Sequence, residues 1–340
     1  MSSVENGGRL LYLSRSCVRE LAPGIDLFVD SVHRALSLHA RGATAQPLKP
    51  YLRPAGAGAH IADRIIAMPG AISGDTPAVG LKWVSSKHDN PAVRQVPRAS
   101  ALIVLNDPES YRPVAVIEGT EISAMRTAAV TVLATRHLAR TEFTTVGLVG
   151  CGVIGRAHVN AMNEQFDSVE RFVVYDERPD AARMLAERCG VEWPRVRYDV
   201  ANTARGAVEG ADVVITATIT DTPYIEFNWL AEGAFVSNVS IMDVEKDAYL
   251  HVDKLIVDDW DQSNREGKII HQLVQEGRLS RADLHAELGD ILIGARPGRT
   301  TPDERILLNP MGMAIEDVAC AAAIYERAID AGAGVWLDLE

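Results

Sequence analysis

Lys82 lies within Val79-Gly80-Leu81-Lys82-Trp83-Val84-Ser85. Period-two alternation places Val79, Leu81 and Trp83 on one face of a strand and Lys82 on the other, among Gly80 and Val84. An ammonium among such neighbours is either an edge lysine that snorkels to water or a base whose pKa its surroundings lower. Arg126 opens Arg126-Thr127-Ala128-Ala129 inside an expected helix, Glu121 to Leu138, that joins two domains. It is either a surface arginine or a pocket cation at that junction. Lys49 and Arg53 stand in Gln46-Pro47-Leu48-Lys49-Pro50-Tyr51-Leu52-Arg53-Pro54, too proline-rich for a helix. That segment is either a solvated basic loop or a carboxylate-binding one.

Thr144 to Gly155 offers a second kind of chemistry. An apolar run, Val146, Leu148 and Val149, breaks into Gly150-Cys151-Gly152-Val153-Ile154-Gly155 and continues as a helix. Gly150 permits a tight turn, Gly152 lets backbone approach a pyrophosphate, and Gly155 lets helix and strand pack closely. The N–H groups at that helix start, including those of Val153 and Ile154, face where phosphates would sit. A second strand, Arg171 to Tyr175, ends in Asp176, which would accept from a ribose 2′-hydroxyl and repel a 2′-phosphate. With Glu177 and Arg178 beside it, this is the adenosine end of an NAD site. Ligands of such sheets lie at the strands' carboxyl ends. Thr216, Ala217 and Thr218, then Ser240, Met242 and Asp243, follow apolar strands in that position. Asp243 is the acid singled out there; Asp247 lies further from the strand end. Thr127, Met311 and Gly312 complete the expected cofactor contacts.

The elements that position these residues follow from pattern. Met1 to about Arg9 reads as a disordered leader, and Ser14 to His39 as two helices broken at Pro23-Gly24. Arg64 to Ala115 is β-rich, with Arg98 and Ser100 on a strand of the same small domain as Lys82. After Asp176, strands alternate with helices, including one around Asn202 to Glu209, as in a doubly wound parallel sheet. A last strand, Arg305 to Asn309, precedes a long helix to about Ala331 that should return to the first domain. The expected architecture is α/β: an NAD-binding Rossmann sheet over 126–308 and a smaller α+β substrate-binding and dimerisation domain over 1–125. The segment 309–340 completes the smaller domain with its C-terminal helix.

At 340 residues, two domains are the default. The net charge of −12 argues against nucleic acid or an anionic membrane as partner, and requires a local basic pocket for any anionic substrate. Cys17, Cys151, Cys189 and Cys320 show no paired spacing, which fits a reducing cytoplasm. The sequence shows no signal peptide and no spanning apolar run. No pair or cluster of the nine histidines has ligand spacing, so no metal is expected.

The chain resembles the ornithine cyclodeaminase/μ-crystallin family over nearly its whole length. Gly80 to Ser85, Arg126 to Ala129, Gly150 to Gly155 and Glu287-Leu288-Gly289-Asp290 carry the resemblance. Gln46 to Arg53, Pro97 to Ala101 and Asn309 to Asp317 look most like the branch of 2,3-diaminopropionate biosynthesis dehydrogenases. That branch oxidatively hydrolyses N-(2-amino-2-carboxyethyl)-L-glutamate with NAD. The resemblance implies Lys82 and Asp243 as catalytic groups and Arg126 as a substrate-carboxylate arginine. Lys49 or Arg53 would stand in for a family arginine, and Arg98 with Ser100 would enter the same pocket. The family's Asp-x-Pro-Gly-Lys loop is replaced here by Asp243-Val244-Glu245-Lys246. The resemblance further implies an amino-acid substrate, a homodimer through the sheet of the first domain, and a role in siderophore or peptide natural-product biosynthesis. Related readings are an ornithine cyclodeaminase, another imine or amino-acid dehydrogenase, or a non-catalytic NAD(P)H-dependent ligand-binding protein.

Overall fold

The computed structural model describes residues 8–54, 60–240 and 242–339. It divides into two compact units, one built from residues up to Arg126 and from Gly312 onward, the other spanning Thr127–Met311. Most of the expected leader lies outside the described residues, and Arg9 opens strand β1 (Arg9–Leu13) instead. Helices α1 (Arg15–Leu21) and α2 (Asp26–Ala40) follow, broken at Pro23-Gly24 as the sequence pattern indicates. Ser14 caps α1 by accepting from the Cys17 N–H.

Prolines limit the next segment to two short strands, β2 (Thr44–Ala45) and β3 (Tyr51–Leu52), both paired with β4 (Arg64–Ile72). Then come β5 (Ala78–Ser86), β6 (Ala99–Asn106), β7 (Pro113–Glu118) and helix α3 (Gly119–Leu138). The C-terminal strand Val335–Asp338 pairs with β1, which sequence pattern does not reveal. The eight-stranded sheet runs C-terminal strand, β1, β7, β6, β5, β4, β2, with β3 also on β4.

One face of this sheet is apolar and covered. Met68, Lys82 and Ile103 are cross-strand neighbours on it, all buried. The C-terminal helix Ala314–Ala331 packs on β4, β5 and β6, beside α2. It sits close because Gly80 has no side chain: a Cβ there would stand 2.6 Å from the Val104 carbonyl and 3.3 Å from Val318. On the opposite face Trp83 and Leu102, directly paired, are 43% and 45% exposed.

In the second unit, β8 (Thr145–Val149), β9 (Arg171–Tyr175), β10 (Arg197–Val200), β11 (Val213–Thr216), β12 (Phe235–Asn238), β13 (Lys254–Val257), β14 (Ala286–Glu287) and β15 (Ile306–Asn309) form one sheet. Its order is β10-β9-β8-β11-β12-β15-β13-β14 and every pairing is parallel. Strands of this kind are covered on both faces, which is why they read as near-continuous Val, Ile and Leu. Helices α4 (Val153–Gln165) and α5 (Pro179–Glu192) connect the first three strands, and the helix expected around Asn202 to Glu209 occupies Ala204–Val208.

Gly80→Ala should destabilise the first unit by about 1–3 kcal/mol through overpacking, read as a lower urea midpoint. An unchanged midpoint would show that β5 and the helix can separate at no cost.

Candidate active site

In the first unit Lys82 is 1% exposed, so it is no snorkelling edge lysine. Its Nζ donates to Asp317 Oδ2 at 2.6 Å and to Ser123 Oγ at 3.4 Å. Arg126 is buried as well, donating from Nη1 to Glu316 Oε2 at 2.8 Å and from Nε to Asp317 Oδ1 at 3.2 Å. Both acids belong to the first turn of the C-terminal helix, where the helix dipole favours negative charge. Burial lowers the pKa of Lys82 to about 8; Asp317 opposes that shift and the Arg126 charge adds to it. Gly312, at φ +72°, lies so near Arg126 that a Cβ would stand 2.6 Å from Nη1. The Gly312 carbonyl accepts from buried Lys49 Nζ at 2.8 Å. Lys49 is therefore part of this buried cluster, and no solvated loop residue.

Arg98, immediately before β6, donates from Nη1 to Ser86 Oγ at 2.8 Å. Arg53 is exposed, with its guanidinium 5.4 Å from the Tyr51 ring centre. Ser100 departs from the expected placement. Lys82 pairs with Ile103, three residues from Ser100, so strand alternation turns Ser100 to the opposite, exposed face.

In the second unit the three glycines of the loop have distinct surroundings. Gly150 has φ +101°, and a Cβ there would stand 2.7 Å from Ala217. A Cβ at Gly155 would collide with the Gly150 carbonyl, whereas Gly152 has nothing within 4 Å. The open ground over Gly152 and the exposed Val153, with Gly152 capping α4, leave the helix start accessible to a pyrophosphate. Asp176 lies against this loop, accepting from the Cys151 N–H at 2.9 Å and the Arg178 N–H at 3.0 Å. Glu177 and Arg178 are exposed beside it. These residues fit a dinucleotide.

At the carboxyl ends of β11 and β12, buried Thr216 donates to Asn238 Oδ1 at 2.6 Å and shares a hydrogen bond with Ser240. Thr218 Oγ1 donates to Asp243 Oδ1 at 2.8 Å, and Tyr224 Oη donates to the same oxygen at 2.6 Å. Asp243 is fully buried and its Oδ2 has no hydrogen-bond partner among the described residues. Burial raises its pKa, an effect that the hydroxyls of Ser240, Tyr224 and Thr218 only partly offset. Asp247 is exposed and pairs with His251, so of the two acids only Asp243 is buried. Met242 is buried next to it, and the Met311 N–H donates to Asp258. Thr127 and Met311 fall in this unit, Gly312 in the other.

The sequence pattern of the ornithine cyclodeaminase/mu-crystallin family matches residues 14–332. The chain belongs to that family. It is 49% identical to the N-((2S)-2-amino-2-carboxyethyl)-L-glutamate dehydrogenase of Staphylococcus aureus, over 97% of this chain and 98% of that one. The alanine dehydrogenase of Archaeoglobus fulgidus is 30% identical over 91% and 92%. Among solved structures, Thermococcus litoralis Δ1-pyrroline-2-carboxylate reductase, in complex with NADH and L-proline, superposes with a TM-score of 0.90 at 31% identity, covering 96% of this chain and 99% of that one. An archaeal alanine dehydrogenase dimer with bound NAD gives 0.87 at 29%, covering 98% and 100%.

In this member of the ornithine cyclodeaminase/mu-crystallin family, several contacts escaped sequence reasoning. Glu316 and Asp317 carried a signal, two adjacent acids in an otherwise apolar helix, but nothing tied them to Lys82 and Arg126. Tyr224 carried none. His60, Asp63 and His88 also come together, with ligand atoms within 4.8 Å of one another, although no spacing announces them. The two imidazoles stack at 4.2 Å and 10°, so their in-plane lone pairs do not converge on one ion. Asp63 already accepts from the His88 N–H and ring and from Lys87. Burial opposes its ionisation, yet these donors bring its pKa down to about 2. The group is a hydrogen-bonded ion cluster.

Tyr224→Phe removes a donor to the Asp243 anion and should move that carboxyl's titration to higher pH, followed by carboxyl carbon NMR. An unmoved titration would show that Tyr224 does not stabilise the carboxylate.

Proposed function

We propose that this protein is an NAD-dependent dehydrogenase that converts N-(2-amino-2-carboxyethyl)-L-glutamate, NAD and water to 2-oxoglutarate, 2,3-diaminopropionate, NADH and a proton. Its full-length likeness to the staphylococcal dehydrogenase carries this reading. The cations gathered in the first unit of an acidic protein suit a substrate with three carboxylates. The first unit is assigned to the substrate and the second to the dinucleotide. Arg126, Lys49, Arg53 and Arg98 are the carboxylate-binding residues; Ser100, on the other face, is withdrawn from that set.

When bound, NAD supplies the hydride acceptor for the glutamate α-carbon. The Gly150–Gly155 turn holds its pyrophosphate, and Asp176 holds the adenosine ribose and disfavours a 2′-phosphate. Hydride departure needs a neutral amine, because only a free nitrogen lone pair can form the C=N bond. Lys82, with its lowered pKa, is a base for that proton near neutral pH. Asp243 has a free carboxylate oxygen and a raised pKa, which suit it to take a proton from the water that attacks the iminium carbon. The carbinolamine then breaks its C–N bond, and the departing amine takes up a proton.

We place the homodimer contact on the open face of the first sheet, where paired Trp83 and Leu102 present apolar surface. Four free cysteines favour a reducing cytoplasm, and no helix among the described residues is long and apolar enough to cross a membrane. The product, a diamino acid, would serve siderophore or peptide natural-product assembly.

Purified protein given the glutamate conjugate and NAD should release 2-oxoglutarate and 2,3-diaminopropionate in equal amounts, and should form no proline from ornithine. Proline formation at a comparable rate would make the protein a cyclodeaminase. Lys82 is a base only when neutral, so kcat/KM for oxidation should rise with pH through about 8. Asp317→Asn removes the charge that opposes this depression and should move the rise to lower pH. Lys82→Met should abolish the rise and slow turnover by about 10²–10⁴-fold. A pH profile unchanged in Lys82→Met would remove Lys82 from the chemistry.

A further inference from the structure

The two oxygens of the Asp243 carboxyl have unlike surroundings. Oδ1 accepts from Thr218 at 2.8 Å and from Tyr224 at 2.6 Å, whereas Oδ2 is buried with no hydrogen-bond partner among the described residues. A carboxylate oxygen offers two lone-pair sites, so these two donors fill Oδ1. Both donors are held where they are. The Thr218 hydroxyl accepts from the Thr220 N–H at 3.2 Å, which leaves its one proton for Asp243. Tyr224 is tied to Asp243 through the main chain as well. The N–H groups of Tyr224 and Ile225 donate to the Asp243 carbonyl at 3.0 and 2.9 Å, and Ile225 bridges to Val244 as in a parallel sheet. The Ser240 hydroxyl also favours the anion, but its own hydrogen bonds run to Asn238 and Thr216.

Tyr224 is no acid or base in its own right. Burial raises its pKa above the ordinary phenol range, and the Asp243 charge raises it further, so it keeps its proton near neutral pH. At 2.6 Å its hydroxyl makes a charge-assisted bond to the carboxylate. Exchange of Oδ1 and Oδ2 requires a half-turn of the carboxyl group, which would break this bond and that of Thr218 together.

We propose that Tyr224, together with Thr218, is a positioning residue that holds Oδ1 and thereby makes Oδ2 the one atom of Asp243 that takes the proton of the attacking water. This assignment rests on the reading of the reaction given above, in which Asp243 serves iminium hydrolysis and Lys82 the hydride step. The two donors therefore act on one half of the reaction. Water loses its proton to Oδ2 as its oxygen bonds to the iminium carbon, and the C=N electron pair returns to nitrogen. Hydride transfer, which precedes this, makes no demand on Oδ2.

The test follows the two halves separately in single turnovers of the NAD-loaded protein with the glutamate conjugate, NADH by stopped-flow absorbance and 2-oxoglutarate by rapid quench. In Tyr224→Phe, NADH should form with the wild-type rate constant, while 2-oxoglutarate formation after it slows by about ten- to a hundredfold, the worth of one charge-assisted hydrogen bond. The pH at which that second step is half-maximal should rise, because one donor stabilises the anion less than two. Thr218→Val should behave alike, and Thr218→Ser, which keeps the hydroxyl, should retain the wild-type second step. These variants also keep the test open if Tyr224→Phe fails to fold. Equal slowing of both steps, an unaltered second step in either Tyr224→Phe or Thr218→Val, or slowing with an unmoved pH dependence would each overturn the positioning role. A wild type that forms no NADH from the conjugate would refute the proposed function instead. The donors are then judged by the titration of the Asp243 carboxyl carbon, which should move to higher pH in Tyr224→Phe and Thr218→Val and stay in place in Thr218→Ser. A titration unmoved in Tyr224→Phe or Thr218→Val would refute the positioning role there as well.

Discussion

Two cations, Lys82 on the first sheet and Arg126 on α3, meet two carboxylates on the C-terminal helix, and the first unit is arranged around keeping them matched. Removing a partner from such a buried set costs about 3–5 kcal/mol, because it strands a charge where water cannot reach. That penalty fixes the C-terminal helix in place. Glu316 and Asp317 meet Arg126 and Lys82 only if the helix enters at one depth, and a shift of a residue would rotate both acids away by about 100°. Gly80 supplies the close approach, and Gly312 the turn that brings the chain in beneath the Arg126 guanidinium. The arrangement also sets the reactivity of Lys82. Burial destabilises its ammonium, while Asp317 keeps the depression moderate. A lysine with no carboxylate would be neutral well below physiological pH, and one in water would be charged well above it.

The second unit solves the opposite problem. Among the described residues Asp243 has neutral donors about it and no cation, the hydroxyls of Thr218 and Tyr224 on one oxygen and that of Ser240 nearby. Neutral donors stabilise a carboxylate less than a countercharge does, so burial prevails and the carboxyl holds its proton more readily. Thr216, Asn238, Tyr249 and Ser240 continue this hydroxyl and amide network, fixing the strand ends without adding a charge. The two groups proposed for proton transfer are thereby displaced from their ordinary ranges in opposite directions, Lys82 downward and Asp243 upward. Both move toward the neutral pH at which a proton can be both taken and returned.

What could be read from the sequence was local. The Gly150–Gly155 turn, Asp176 at the next strand end and the alternation around Lys82 each depend on residues close in the chain, and the geometry of each follows from its own neighbours. Pairings set by distant chain segments were hidden. Lys82 and Asp317 are separated by 235 positions, and β1 meets the C-terminal strand only after the whole chain has closed. Ser100 shows the intermediate case. Its own strand was evident, but which face it occupies depends on the register with β5, and an odd offset sends it away from Lys82.

On the proposed function, the placement of charge separates two tasks that a carboxylate-rich substrate would impose. Its binding needs cations, yet cations crowded around Lys82 would lower the lysine's pKa still further and repel the protonated amine. Glu316 and Asp317 remove most of that conflict by accompanying Arg126 and Lys82 within the chain. Arg98, immediately before β6, is bonded instead to the hydroxyl of Ser86, four residues along β5 from Lys82. Charge there attracts an anion while scarcely disturbing the lysine. On the proposed function, Lys82 is tuned by its internal acids while Arg98 is left to bind a carboxylate of the substrate. Because each task rests on different residues, changing one need not disturb the other.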